Sequence, residues 1–396
     1  MSQPDAFPWH LGVYDAHCHP TDIMSSIPSL PTMKARCLTV MGTRAEDQAL
    51  VAQTADEYGV KSTTDWTREE CMMPCFGWHP WFAHTMYLDD ENEHAEKILT
   101  GEDKIQHYAK VLQPQREHPN DEDRQIYQSL PDPTPFSIFL SRTRKYLEQY
   151  PLALIGEIGL DRSFRIPYPW DQDSQSQRDT SLTLGGREGR KLTPFRCAPA
   201  HQKEILKRQL QLAAEYKRAV SVHGVQAHGM LFESLKELWT GHERIVLSKR
   251  EKKKRGKDDP SIEPQHPPSS ATQERDGESK PYPPRICLHS YSGSPSNFTQ
   301  YLNPAIPVEI FASFSTAINL GDAVGEEEPK AFGDMVRAVP DGAVLVESDL
   351  HTAGEEMDRR LEDMARRICR IKGWGLEEGV EKLGRNWRRF VFGEEG

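Results

Sequence analysis

The chain has 396 residues, a formal net charge of −11 and a hydrophobic fraction of 37%. This length and composition allow one large domain with a substantial core, or two average domains. The acidic balance excludes a protein that coats nucleic acid through a global basic field, but it does not exclude an enzyme that cuts nucleic acid using local cations and metal ions.

The sequence carries no signal for a membrane or for secretion. No apolar run approaches the roughly 20 residues needed to span a bilayer, and the N-terminus lacks a basic head followed by an apolar stretch. Seven cysteines are scattered without regular spacing, which predicts reduced thiols in a cytoplasmic or nuclear protein. Cys71 and Cys75 form a CxxxC pair, which we interpret as structural because no second pair completes a metal clip.

Eight short apolar runs alternate with segments of helical periodicity. The runs are nearly continuous in apolar residues, which is typical of strands buried on both faces of a parallel sheet. The predicted strands are 11–17, 35–42, 73–79, 152–159, 219–224, 285–290, 307–314 and 343–349. The predicted helices are 44–59, 136–150, 200–218, 229–239, 356–372 and 376–391. Eight such units predict an α/β fold, a (β/α)8 TIM barrel.

Three polar segments do not belong to a minimal barrel. We interpret 84–135 and 162–199 as inserted segments, and 248–284 as a disordered insertion because it is too poor in apolar residues to offset its ordering entropy. No linker separates two domains, so 1–396 is predicted to be one barrel. The basic cluster 249–257 is interpreted first as a solvated loop, with nuclear localisation or nucleic-acid contact as the alternative.

Polar residues of metal-ligand type stand at five predicted strand exits. His17 and His19 are two residues apart, so in an extended strand both imidazoles point to the same side. Glu157 ends a very apolar run, where an unpaired carboxylate is costly. The other three exits carry His223, His289 and Asp349. In these barrels catalytic residues lie at the carboxyl ends of the strands, so the arrangement predicts a metal site.

The motifs at these exits resemble, in the same order, those of the TatD-related metal-dependent hydrolases of the amidohydrolase superfamily. The motifs are DAHCHP, GWHP, GEIGLD, SVHG, LHSYSG and ESD. The resemblance implies two divalent ions (Mg, Mn or Zn), one held by His17, His19 and Asp349. It also implies that His223 and His289 hold the other ion and that Glu157 bridges both. It places His79, from GWHP, beside the site in a substrate-binding or supporting role.

The sequence departs from the family pattern where a phosphate would be held. The family often has HxR after the fifth strand, whereas this chain has HGVQAHG, which leaves His228 or an arginine of an inserted loop as candidates. Arg162 replaces the usual aromatic residue after GLD and is a candidate phosphate contact. The run ESDLHT places His351 near the site.

The resemblance implies a deoxyribonuclease, a phosphodiesterase that acts on DNA through a two-metal site. Asp349 would accept a proton from the attacking water, and Glu157 would bridge the ions. One alternative is a metal-dependent amide or ester hydrolase of the same superfamily. Another is a barrel that serves mainly as an interaction scaffold and binds a protein partner through its insertions.

Overall fold

Eight parallel strands form one sheet in chain order in the computed structural model, which describes residues 6–89, 97–170, 189–246, 280–325 and 327–393. We number them β1 to β8. They are Tyr14–Cys18, Cys37–Met41, Met72–Phe76, Leu154–Asp161, Val220–Val225, Arg285–Leu288, Glu309–Phe314 and Val344–Val346. Each lies within one of the predicted apolar runs or extends it by a few residues, so the predicted α/β barrel is confirmed.

The end of β8 meets the end of β1 and brings the sheet close to a complete barrel. The amide of Asp349 donates to the carbonyl of His17 at 3.0 Å, and the amide of His19 donates to the carbonyl of Leu350 at 2.8 Å. The buried carboxylate of Asp15 also accepts the Ser348 amide at 3.1 Å and the Ser348 hydroxyl at 2.5 Å. Burial raises the pKa of Asp15 to about 7. These contacts place Asp349 beside His17 although the two are far apart in sequence.

Strand residues are buried on both sides because the helices cover the outside of the sheet. All five residues of β2 and all eight of β4 are buried, as expected for parallel strands between helices and a filled interior. This burial explains why the strands read as continuous apolar runs rather than as an alternating pattern.

Eleven α-helices occur in the described residues, and we number them α1 to α11. They are Ala45–Tyr58, Gly101–Val111, Asp121–Ser129, Phe136–Gln149, Pro199–Glu215, His228–Trp239, Pro295–Thr299, Thr316–Asn319, Lys330–Ala338, Glu355–Lys372 and Leu376–Phe392. The six predicted helices correspond to α1, α4, α5, α6, α10 and α11. Helix α1 begins where Asp47 accepts the amides of Thr43 and Arg44, both at 2.9 Å. Helix α10 ends at Gly373, whose φ of 69° suits a residue without a side chain.

The inserted segments 84–135 and 162–199 pack against each other where they are described. The first contains α2 and α3, and a separate apolar cluster joins them to the second through Tyr108, Tyr127 and Phe195, each fully buried. Their position next to strand exits places this small core beside the carboxyl rim of the barrel.

Two further sequence-based expectations concern the cysteines and the basic cluster. All seven cysteines, including Cys71 and Cys75, are free thiols and buried. The basic cluster 249–257 lies outside the described residues, as does nearly all of 248–284. Among the described helices, none has the length and apolar character needed to cross a membrane.

Candidate metal centre

The strand exits bring all six predicted ligands together. His17 belongs to β1, Glu157 to β4 and His223 to β5. His19, His289 and Asp349 follow β1, β6 and β8 directly. The four histidines and Glu157 are all less than 9% exposed, and the side chain of Asp349 is 11% exposed. Because parallel strands end at the same rim, residues far apart in sequence share one pocket.

One oxygen of Glu157 faces the histidines of β1. Its Oε2 lies 3.5 Å from Nε2 of His17 and 3.3 Å from Nε2 of His19, and these two nitrogens are 3.1 Å apart. The Oδ1 atom of Asp349 lies 3.4 Å from Nε2 of His19 and 3.8 Å from Nε2 of His17. Two imidazoles and two carboxylates therefore converge on one small volume.

The other oxygen of Glu157 faces the histidines of β5 and β6. Its Oε1 lies 2.8 Å from Nδ1 of His223 and 2.8 Å from Nε2 of His289. Those two nitrogens are 3.1 Å apart. Glu157 thus lies between two pairs of imidazoles and contacts each pair with a different oxygen.

The same side chains form three overlapping groups that could hold a metal ion, within the parts of the chain that the structure describes. In each group the ligand atoms lie within 4.8 Å of one another. The groups are His17 with His19 and Glu157, His79 with Glu157 and His223, and His17 with His289 and Glu347. Imidazole and carboxylate are ligands typical of Zn, Mn and Mg sites, so the donor set fits a divalent cation.

Mutual charge effects dominate the protonation of the cluster. Burial opposes ionisation of Glu157, but His79, His289 and His17 hold its pKa well below the usual range. Burial lowers the pKa of His289, yet Glu157 raises it to about 10. Burial, together with the neighbouring His289, lowers the pKa of His17. Positive charge placed between these groups is therefore favourable, whether it is carried by protons or by metal ions.

Two of the imidazoles have a hydrogen-bond partner on the nitrogen that faces away from the centre. Nδ1 of His17 is 2.8 Å from the Ser221 hydroxyl, and Nε2 of His223 is 3.4 Å from Oδ2 of Asp161. Such partners fix the orientation and tautomer of a ligating imidazole. Nδ1 of His289 has no hydrogen-bond partner among the described residues, and Oε1 of Glu347 lies 3.7 Å from it.

His79 contacts the bridging position directly. Its Nδ1 accepts the amide of Trp81 at 3.1 Å, which leaves the proton on Nε2, and Nε2 lies 3.0 Å from Oε1 of Glu157. Burial lowers the pKa of His79 to about 4, so the ring is neutral at pH 7. The structure therefore places His79 as a hydrogen-bond donor to Glu157.

The other predicted contacts lie at the rim. The ring of His351 is stacked on that of His19 with centroids 5.3 Å apart, and its Nδ1 is 2.7 Å from Oδ2 of Asp22. The side chain of Arg162 is exposed and makes no hydrogen bond or ion pair within the described ranges. Nε2 of His228 is 3.4 Å from the Ser292 hydroxyl, away from the imidazole cluster.

Sequence reasoning did not assign roles to Asp161, Glu347 and Ser221. Asp161 and Glu347 lie within the motifs GEIGLD and ESD, and Asp161 is four residues from Glu157 on the same strand. The strand period of two places such residues on one face, so spacing alone could have indicated Asp161. Ser221 carries no such signal, because a serine within an apolar strand is not a residue of metal-ligand type.

A parallel eight-stranded barrel with buried imidazoles and carboxylates at its carboxyl rim defines the class of barrel hydrolases that metal ions assist. The particular family follows from comparison with known proteins. Residues 14–392 match the profile described as "TatD related DNase", and the chain belongs to that metal-dependent hydrolase family. The resemblance seen in the motifs is thereby confirmed.

Two curated relatives are similar over much of the chain. The "Cut9-interacting protein scn1" of Schizosaccharomyces pombe is 37% identical over 380 residues, which are 96% of this chain and 98% of the relative. An "uncharacterized deoxyribonuclease" of Saccharomyces cerevisiae is 27% identical over 276 residues, which are 69% of this chain and 64% of the relative.

Two solved structures share the fold. A TatD-family hydrolase from Entamoeba histolytica has a TM-score of 0.50 and 12% identity, covering 97% of this chain and 99% of that one. An uncharacterized amidohydrolase from Saccharomyces cerevisiae has a TM-score of 0.51 and 14% identity, covering 95% and 98%. At this level of identity the similarity supports the barrel and nothing finer.

Proposed function

We propose that the chain hydrolyses phosphodiester bonds in DNA with two divalent cations at its carboxyl rim. His17, His19 and Asp349 would hold one cation, His223 and His289 the other, and Glu157 would bridge them. The proposal rests mainly on the position of Glu157. The Oε2 atom of its carboxylate faces one pair of imidazoles, and the Oε1 atom faces the other pair.

Several distances between ligand atoms, in particular those within each pair of imidazoles, suit shared cations. Ligands bound to one ion at about 2.1 Å lie about 3.0–3.4 Å apart in tetrahedral or octahedral geometry. The His17–His19 and His223–His289 nitrogen pairs are both separated by 3.1 Å, and Oε2 of Glu157 is 3.3 Å from Nε2 of His19. The imidazoles favour Zn or Mn, and the carboxylates favour Mg.

Bound cations would supply positive charge for the phosphoryl oxygens and would lower the pKa of a water molecule. Asp349 is the candidate proton acceptor. Burial raises its pKa, but His19, His17 and His289 favour the carboxylate and lower the pKa to about 2. Asp349 is therefore ionised at neutral pH, and as the most exposed of the six ligands it is open to a proton from the substrate side.

Three residues would act around this centre. His79, neutral at pH 7, would orient Glu157 through its Nε2 hydrogen bond. Arg162, exposed at the exit of β4, would contact a phosphate outside the pocket. His351, stacked on His19 at the rim, would border the substrate.

A substrate panel with reloaded metals tests the proposal. The full chain is stripped with chelator, reloaded with Mg, Mn or Zn, and assayed on a labelled oligodeoxynucleotide and on bis-p-nitrophenyl phosphate, with Glu157→Gln as control. We expect metal-dependent cleavage of both substrates that the control lacks. Failure with every metal, while a TatD-family nuclease cleaves in the same assay, would rule out the nuclease.

The alternative reaction is hydrolysis of an amide or another ester at the same centre. The observation in its favour is the sequence that follows β5 residue His223, where Gly224 and Val225 stand in place of the HxR arginine with which the family often contacts a phosphate. The same panel therefore includes an anilide, a lactone and p-nitrophenyl acetate. Turnover of one of these, with DNA intact at every metal concentration, would favour the alternative.

A protein partner is a second proposed role. The Schizosaccharomyces pombe relative is named for its interaction with Cut9, and the insertions 84–135, 162–199 and 248–284 enlarge this barrel. Deleting 248–284 separates the roles. Unchanged turnover with lost partner capture would assign the segment to binding, whereas lost turnover would assign it to catalysis. Tagging the chain with and without 249–257 would decide between a nuclear and a cytoplasmic location.

A further inference from the structure

A two-stranded ribbon of basic and aromatic residues stands beside the metal centre. It consists of residues 162–170 and 189–196, which we call the basic ribbon. Its two arms run antiparallel, since the amide of Tyr168 donates to the carbonyl of Lys191 at 2.8 Å and the amide of Ile166 donates to the carbonyl of Phe195 at 3.0 Å. The ribbon is therefore an ordered feature built on backbone pairing.

The base of the ribbon is packed on the wall of the metal pocket. Phe164 is buried and stacked on Trp81, with ring centroids 4.5 Å apart. Trp81 lies edge-on to His79 at 4.8 Å, and its indole N–H donates to Asp161 at 2.6 Å. The amide of Arg162 donates to the carbonyl of Val225, at the exit of β5. A ligand lying along the ribbon would thus lead directly to the cluster around Glu157.

The ribbon is strongly positive in an acidic protein. Its two arms contain five basic residues and no acidic residue, whereas the whole chain carries a net charge of −11. The residues between the arms, 171–188, contain four acidic and two basic residues, so the segment as a whole remains positive. The basic residues are Arg162, Arg165, Arg190, Lys191 and Arg196.

Among the described residues, most of this charge has no carboxylate partner. In the described part of the chain, no carboxylate forms an ion pair with Arg162, Arg165, Lys191 or Arg196. Elsewhere on the surface, cations are commonly paired, as Arg359 is with Glu356 at 2.7 Å and Lys203 is with Glu237 at 2.5 Å. Like charges on one short ribbon repel one another, so they favour a polyanionic ligand.

The ribbon also offers aromatic rings. Tyr168 and Trp170 are half-buried, with Lys191 over the first ring at 5.6 Å and Arg190 over the second at 5.8 Å. Cations for the backbone and aromatic rings for the bases are the combination with which proteins bind single-stranded nucleic acid. A duplex fits less well, because its paired bases are not available for stacking.

We propose that the basic ribbon binds a single-stranded polynucleotide and guides it into the metal centre. As a statement about substrate, this proposal rests on the proposed phosphodiester hydrolysis. Arg162, Lys191 and Arg196 would contact phosphates, and Tyr168 and Trp170 would stack on bases.

Binding is tested with the full metal-loaded chain and a fluorescent phosphorothioate oligothymidylate, which resists cleavage. The double variant Lys191→Glu, Arg196→Glu is compared with Lys61→Glu, Lys217→Glu. The control has the same change in net charge, and its exposed lysines precede β3 and β5 at the opposite end of the barrel. We expect the ribbon variant to raise Kd about tenfold or more and to flatten the slope of log K against log salt by about 1.4. The control should change Kd less than twofold.

The aromatic part is tested by Trp170→Ala. Its control is Trp374→Ala, another half-buried indole with a lysine, Lys382, over the ring at 4.7 Å. Loss of one stacked base predicts about a tenfold rise in Kd for the first variant only. An oligouridylate should behave like the DNA strand, and duplex DNA should bind at least tenfold more weakly than the single strand.

Three results would overturn the proposal: absence of strand binding by the wild type, equal weakening in the ribbon and control variants, or duplex binding as tight as single-strand binding. The outcome is separable from that of the proposed function. If the ribbon binds the strand but no metal supports hydrolysis, the proposed binding site stands and the proposed nuclease activity is refuted. If bis-p-nitrophenyl phosphate is hydrolysed but binding does not depend on the ribbon, the proposed activity stands and the proposed binding site is refuted.

Discussion

Oδ2 of Asp161 lies 3.4 Å from Nε2 of His223, and on the other side of the same ring Nδ1 lies 2.8 Å from Oε1 of Glu157. Asp161 is itself held firmly. Its Oδ1 accepts the amide and hydroxyl of Ser163 at 2.6 and 2.7 Å, and the amide of Phe164 at 2.9 Å. A fixed carboxylate on one nitrogen directs the other nitrogen into the pocket, so Asp161 is a positioning residue for His223.

Asp161→Asn should weaken metal binding by about 10- to 100-fold at the position of His223 and His289. The reason is that the asparagine side chain, unlike the carboxylate of Asp161, does not fix the orientation and tautomer of the His223 imidazole. The measurement is metal affinity by competition with a chromogenic chelator, which needs no substrate. Asp358→Asn is the matched control, since Asp358 is also a buried carboxylate that accepts two amides, those of Lys34 and Ala35. Equal metal affinity in both variants would contradict the positioning role.

Removing the shared carboxylate should affect both cations, whereas removing one imidazole should affect one. Glu157→Gln is expected to retain less than one metal ion per chain, His17→Ala about one and the wild type two, because Glu157 contacts both imidazole pairs with different oxygens. Elemental analysis after gel filtration gives the stoichiometry. Glu309→Gln, on the surface, should match the wild type. Two ions retained by Glu157→Gln would refute the bridging position.

Two tyrosines of the small core beside the rim differ in one hydrogen bond. The hydroxyl of Tyr108 donates to the carbonyl of Pro131 at 2.5 Å, whereas the buried hydroxyl of Tyr127 has no hydrogen-bond partner among the described residues. Tyr108→Phe should therefore lower the free energy of unfolding by about 1–2 kcal/mol, and Tyr127→Phe should leave it unchanged or raise it by up to about 1 kcal/mol. Urea denaturation of both variants checks this, and equal losses would contradict the assignment.

The barrel and the six candidate ligands could be predicted from the sequence because each strand, with the polar residue at its exit, is visible in a short stretch of residues. A buried parallel strand reads as an apolar run, and its polar exit residue interrupts that run, as Glu157 and His223 do. The packing of the inserted segments was not accessible. Phe195 packs in one cluster with Tyr108 and Tyr127, from which it is distant in sequence, and no periodicity in 84–135 predicts this packing.

Arg162 shows what sequence position leaves undetermined. Its place after GLD predicts a phosphate contact but does not give the direction of its side chain, because successive residues of a strand face opposite sides. The side chain of Asp161 contacts His223, whereas that of Arg162 is exposed, so a phosphate held by Arg162 would lie outside the pocket. Adjacency in sequence to a pocket residue is thus weaker evidence than a spacing of two or four residues along the strand.

The inserted segment should also make the protein sensitive to acid. His84 and His107 are buried there, and Nε2 of His107 donates to the carbonyl of His84 at 2.8 Å. Burial lowers the pKa of His107 to about 4 and that of His84 to about 3. The usual histidine pKa of about 6.5 applies in the unfolded chain. As pH falls below about 6.5, protons therefore bind the unfolded state first, and stability present at neutral pH is lost progressively down to the folded pKa.

His107→Gln tests this sign directly, because glutamine keeps an N–H donor for the His84 carbonyl but does not titrate. Between pH 7 and pH 5 the wild type should lose about 2 kcal/mol more of its free energy of unfolding than the variant, which is the cost of keeping one buried imidazole neutral. The measurement is urea denaturation at each pH. His118→Gln, an exposed histidine of the same segment, should follow the wild type. Parallel pH profiles for the wild type and His107→Gln would show that His107 is protonated equally in the folded and unfolded chain. That result would contradict the conclusion that the buried imidazole is neutral in the folded protein.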